Sequence, residues 1–145
     1  MSAPFTGGCA CGAIRYKCSA EPVIAYNCHC HACQRATGSA FLAMLWVPGA
    51  SLTLTKGDPQ YHTETADSGN TLSRGFCAKC GAPVCANASR LPEYVSLIAT
   101  SLDDPTLFQP MADYWIGSAQ PWDYMNPELP KFQKGARPCL RNSTA

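Results

Sequence analysis

Ten cysteines in 145 residues, with a formal net charge of +1 and only 14% charged side chains, describe a chain of one-domain size with no strong electrostatic pull toward nucleic acid or an anionic membrane. No apolar run nears the roughly 18 residues that span a bilayer. The start, "MSAPFTGGCACG", also lacks the basic-then-apolar layout of a signal peptide, so a cytoplasmic protein is expected.

In chain order, Gly, Pro, Asn, Asp and Ser punctuate short runs rich in β-branched and aromatic residues, which predicts a mostly β fold. Strands are expected at 14–18, 23–27, 40–47, 52–55, 60–63, 72–76, 83–86, 94–98 and 112–116, with one helical piece at 31–37 closed by Gly38 as a left-handed cap. One domain is expected over residues 1–145, with its core at about 6–134 and a C-terminal tail at 135–145; the proline-spaced stretch from Pro121 to Ala145 is expected to wrap the surface and fray at its end.

Cysteines at this density are either a disulfide framework or metal ligands, and both compartment and spacing favour metal. Cys9 and Cys11 precede Gly12, and Cys77 and Cys80 precede Gly81. Glycine after each pair lets the backbone turn so that both thiolates converge on one ion. Four thiolates close a tetrahedral zinc shell, so this site is expected to be structural and to staple distant strands together. Cys28, Cys30 and Cys33 supply only three ligands. Three protein ligands plus an exchangeable position distinguish catalytic from structural zinc, unless His29 or His31 closes the shell.

Three thiolates give such a site a formal charge of −1, which makes it poor at activating water. A thiol arriving as fourth ligand would be deprotonated and remain nucleophilic. Thiolate delivery is therefore better supported than hydrolysis or base deamination.

Taken together, "GGCACGAIRY", "CHCHACQRATGSAF", "FCAKCGAPV", "SLDDP" and "PWDYMNPELPKF" resemble the glutathione-dependent formaldehyde-activating enzyme family over roughly residues 6–134. The resemblance implies a single-domain, mostly antiparallel β-tent with a structural zinc on Cys9, Cys11, Cys77 and Cys80 and a catalytic zinc on Cys28, Cys30 and Cys33. It implies a carbon–sulfur lyase-type activity, in which glutathione adds to formaldehyde to give S-hydroxymethylglutathione. The partners are then a small-molecule thiol and an aldehyde. A non-catalytic zinc-stabilised binding module of the same fold is the alternative, whereas a methionine sulfoxide reductase would have no use for C-x-C-x-x-C.

Many relatives carry a histidine and a lysine where this chain has Asp113 and Ala119. Arg35 and Arg74 are the remaining candidates to pair the carboxylates of glutathione. Modest affinity follows as an expectation, reduced by Arg35→Ala and improved by Asp113→His. Cys18, Cys85 and Cys139 read as small hydrophobes or bystanders, and Trp46, Trp115 and Trp122 as core or cleft wall. Asp103–Asp104 reads as a turn and His62 as a strand-surface residue.

Overall fold

The computed structural model describes residues 1–66 and 69–135; Cys139 and most of the expected tail lie outside them. Among the described residues eleven strands and one short α-helix form in the order β1 Phe5–Gly8, β2 Arg15–Cys18, β3 Ile24–Cys28, α1 His31–Thr37, β4 Leu42–Pro48, β5 Leu52–Lys56, β6 Gln60–Thr65, β7 Thr71–Phe76, β8 Pro83–Ala88, β9 Tyr94–Ile98, β10 Asp113–Tyr114 and β11 Lys131–Phe132. The fold is mostly β, as composition implied. Two open sheets share it, a small one ordered β1-β2-β5 and a large one ordered β11-β10-β3-β4-β9-β8-β7-β6. Pairing is antiparallel except around β10, which runs parallel to both β3 and β11. Among the described residues no helix is long and apolar enough to cross a membrane.

The period-two alternation of β4 explains how one strand serves two cores. Leu45 and Val47 face the small sheet and pack with Phe5, Ile14, Tyr16, Val84 and Leu97, while Leu42, Met44 and Trp46 pack with Ile24, Tyr26 and Ile98 on the other side. Each such side chain, fully buried, contributes about 1.5–3 kcal/mol. The register Tyr26↔Met44 and Cys28↔Leu42 carries that second face up to Cys28 at the end of β3. An apolar floor therefore leads directly to the three-cysteine loop.

Four features differ from expectation, the unexpected two-residue β11 at Lys131–Phe132 among them. β1 reads poorly as a strand because it contains Gly7 and Gly8, yet both are required by space. A Cβ on Gly7 would stand 2.3 Å from the Tyr16 hydroxyl and the Ser101 carbonyl, and one on Gly8 would stand 2.1 Å from the Ile14 carbonyl. The expected strand at 112–116 stops after Tyr114, because Trp115 adopts a left-handed conformation with φ +60° and opens a 3-10 turn, Ile116–Ser118. Trp122 is not core or cleft wall but 69% exposed.

The remaining isolated residues fall as read. Cys18 and Cys85 are buried, and His62 is exposed on β6. Asp104 caps the 3-10 turn Pro105–Leu107 by accepting from the Thr106 N–H. Asp103 does more than turn the chain, since it accepts from Thr6 and pairs with Arg15 and so links strands of the small sheet to the loop after β9.

Candidate metal centres

Both cysteine pairs of the first cluster sit in hairpin turns. Cys9 and Cys11 lie between β1 and β2, and Cys77 and Cys80 between β7 and β8. In each turn the glycine after the pair takes a left-handed conformation, φ +76° at Gly12 and +75° at Gly81, which an L side chain rarely adopts. The N–H of Gly12 bonds the Cys9 carbonyl and that of Gly81 bonds the Cys77 carbonyl, so the two knuckles are built alike. Backbone amides point at the sulfurs as well: the Ile14 N–H lies 3.2 Å from the Cys9 Sγ. The Ala82 N–H and the Cys11 N–H help to hold the Cys80 thiol below its ordinary range.

The four sulfurs lie within 4.8 Å of one another, with Cys9–Cys11 at 3.6 Å and Cys11–Cys77 at 3.8 Å. A tetrahedron with zinc–sulfur distances of about 2.3 Å has sulfur–sulfur edges near ~3.8 Å, so the donor set fits zinc. An ion here would join a hairpin of the small sheet to a hairpin of the large one, 66 positions away between Cys11 and Cys77. Cys9 and Cys77 are buried in the inter-sheet core while Cys11 and Cys80 are exposed.

The second cluster lies at the junction of β3 and α1. Cys28 ends the strand, Cys30 caps the helix by accepting from the Cys33 N–H, and Cys33 stands one turn later, which brings three buried sulfurs within 4.8 Å. Neither histidine joins them. His31 is exposed, and the His29 ring turns away, 1% exposed, with Nε2 3.1 Å from Asp113 Oδ1 and Nδ1 3.1 Å from Asp123 Oδ2. The three thiols share charge unequally. Hydrogen bonds from Cys28 and Cys33, the Cys33 N–H and the nearby Arg74 guanidinium hold Cys30 down to about 3, whereas Cys30, Cys33 and burial keep Cys28 well above the usual thiol range.

These sulfurs form one end of a cleft of about 400 Å³, walled by Tyr26, Met44, Trp46, Leu72 and Trp115. Among the described residues that line it, the charged side chains are Arg74, Arg90 and Lys134, all cationic. Arg74, on β7, bonds Glu64 through Nε at 2.8 Å and reaches Cys33 Sγ with Nη2 at 3.7 Å. Arg90 follows β8 and Lys134 follows β11, and neither was anticipated from sequence.

Two expectations are corrected here. Arg35 is exposed on α1 and does not line the cleft, because a residue two positions beyond Cys33 faces another side of the helix. In the last turn of α1 it suits the helix dipole instead. Asp113 is not the vacancy left by a substrate-binding histidine; it is 1% exposed, outside the cleft, and bonded to both His29 and Asn27. Asp113→His would press a second imidazole against the first and strip His29 of an acceptor. It is expected to lower the denaturant midpoint, by the ~1–3 kcal/mol that an unsatisfied buried polar group costs, and to leave glutathione affinity no better.

Fold and site together define a small β protein with two cysteine clusters of metal-binding geometry, one joining its sheets and one flooring a cationic cleft. The chain belongs to the glutathione-dependent formaldehyde-activating enzyme family, whose model matches residues 4–118. A protein of Halomonas elongata, provisionally named a glutathione-dependent formaldehyde-activating enzyme, is 27% identical over 101 residues, which span 67% of this chain and 64% of that protein. A crystal structure of a Rhodobacter sphaeroides protein shares the fold, with a TM-score of 0.55 at 19% identity over 87% of this chain and 98% of that one.

Proposed function

We propose that the protein is a zinc-dependent carbon–sulfur lyase-type enzyme that works in the synthetic direction, adding glutathione to formaldehyde or a related small aldehyde to give S-hydroxymethylglutathione. The observation that carries this reading is the three-thiolate cluster at the end of a cleft whose described charged lining is basic. Zinc held by Cys28, Cys30 and Cys33 would supply a fourth position at which a thiol gives up its proton and stays nucleophilic. The net addition would balance without oxidant or leaving group, since the sulfur–carbon bond replaces the carbonyl π bond and the thiol's proton is matched by one taken up at the aldehyde oxygen.

The chain's own residues do the rest. Arg74, between Glu64 and Cys33, offsets the negative charge that accumulates when a fourth sulfur joins three. Arg90 and Lys134 line the same cleft and are the cations it offers to the two carboxylates of glutathione, and Tyr26, Trp46 and Trp115 give it an aromatic wall. All nine described cysteines are unpaired thiols, which suits a reducing compartment such as the cytoplasm.

Calorimetric titration of glutathione into the zinc-loaded protein tests the assignment. Arg90→Ala and Lys134→Ala should each weaken binding about tenfold or more, the loss of a charged hydrogen bond worth ~1.5–3 kcal/mol, and added salt should narrow the difference. Arg35→Ala should leave it unchanged. Affinity that falls with Arg35→Ala and ignores the cleft cations would place the tripeptide elsewhere.

A further inference from the structure

The geometry points to Asp113 and Asp123 as positioning residues of the three-cysteine loop, acting through His29. The inference rests on the metal reading of Cys28, Cys30 and Cys33 given above and concerns what holds that loop in shape.

Three sulfurs from a strand end and the first turn of a helix converge only if the intervening backbone is fixed, and the seven residues of α1 are too few to fix it alone. A segment more than 80 positions away supplies the constraint. The N–H groups of Asn27 and His29, on either side of Cys28, donate to the carbonyls of Ala112 at 3.1 Å and Tyr114 at 2.9 Å. Gln34 Nε2 donates both to the His29 carbonyl at 2.7 Å and to the Ser118 carbonyl at 2.9 Å, and Gln120 in turn donates to Gln34 Oε1.

The side chain of His29 completes the cradle. It lies between two ligand residues and points away from their sulfurs, with a carboxylate at each ring nitrogen: Asp113 from β10 and Asp123 from the chain beyond it. The carboxylates are nearly as buried as the ring, at 2% and 8% side-chain exposure against 1%. Burial of two carboxylates is costly unless their partners compensate, and shape-filling alone would be met more cheaply by apolar residues. What the arrangement adds is direction. Nε2 is hydrogen-bonded to Asp113, while Nδ1 lies beside Asp123 without a hydrogen bond. A ring held at one nitrogen and flanked by a carboxylate at the other has one orientation, as does the backbone that carries Cys28 and Cys30. Such outer partners tune metal sites when they act on a ligating histidine; here the histidine is the connector and the ligands are its neighbours.

The test uses the full-length chain and reads metal at each site without any assay of turnover. Zinc affinities of the two sites are measured by competition with a chromophoric chelator, alongside the absorption spectrum of the cobalt(II)-substituted protein and a denaturant unfolding curve. Asp123→Asn is expected to weaken the ion held by Cys28, Cys30 and Cys33 by about ten- to a hundredfold, by analogy with the loss of outer partners in other metal sites. It should also shift the thiolate-to-cobalt bands of that site and leave the four-cysteine ion unchanged. Asp113→Asn and the conservative Asp123→Glu carry the same test should Asp123→Asn fail to fold, with Asp123→Glu retaining more of the parent affinity than Asp123→Asn. Two ions bound by the variants with parental affinity and parental spectra would overturn the inference alone, and so would equal loosening of both ions in step with lost stability. A parent protein that binds only one ion would overturn the metal reading and this inference with it.

Discussion

Cys77→Ser is expected to abolish cooperative unfolding or to prevent the folded protein from accumulating at all. Cys77 is 2% exposed and sits where the turn between β7 and β8 meets the turn between β1 and β2. A serine hydroxyl does not deprotonate to take the thiolate's place, so three sulfurs would be left with a weakened ion. Structural zinc contributes roughly 10–16 kcal/mol in small domains, as much as the ~5–15 kcal/mol that separates a typical fold from its unfolded chain. Besides this junction the small sheet is attached by its share of the core, the buried Tyr16–Ser101 hydrogen bond, the Gly7–Leu102 bridge and the Arg15–Asp103 pair, polar contacts worth only about 1 kcal/mol each that replace little of what is lost. Circular dichroism during denaturant titration, with zinc counted on the same sample, checks this. Unchanged stability and zinc content would remove the structural assignment.

Cys30→Ser should behave in the opposite way, losing the second ion and all thiol binding while the domain stays folded. Its loop is braced by β10 and by Gln34 and does not tie the two sheets together. The substitution also removes the sulfur on which negative charge settles first and the cap of α1, though a serine can still cap a helix. The expected pattern is therefore one zinc per chain rather than two, a modest fall in unfolding midpoint, and no heat on adding glutathione. If Cys30→Ser unfolds the chain as completely as Cys77→Ser, both sites are structural.

The two cysteine clusters were legible because their signal is local: C-x-C and C-x-x-C before glycine state a turn and a candidate donor set within five residues. Most strands were legible for the same reason. The unread features depend on contacts that no short window contains. β1 hides behind Gly7 and Gly8, whose lack of side chain is demanded by Tyr16 and the Ser101 carbonyl at the first and by the Ile14 carbonyl at the second, rather than by local propensity. β10 and β11 pair in parallel over two residues each, and that pairing places Asp113 against Asn27 and Lys131. Parallel partners are joined by long connections and leave no hairpin signature.

Arg35 was favoured by closeness in sequence to Cys33, whereas Arg90 and Lys134 reach the cleft from the ends of distant strands. Asp113 was legible only as a departure from relatives. Its partner His29 stands between two candidate ligands, where a sequence reading weighs a competing ligand and the fold turns the ring onto Asp113 instead.

The most direct test of the central claim is the exchange of ¹³C-labelled formaldehyde between its hydrate and the glutathione adduct, followed by two-dimensional NMR at equilibrium. The adduct also forms without protein, so the quantity that matters is the exchange rate relative to glutathione and formaldehyde alone. Zinc-loaded protein should raise that rate well above the uncatalysed value, and Cys30→Ser should return it to that value with the fold intact. Protein that holds both ions and binds glutathione yet leaves the rate at its uncatalysed value would contradict the claim and mark the chain as a binding module.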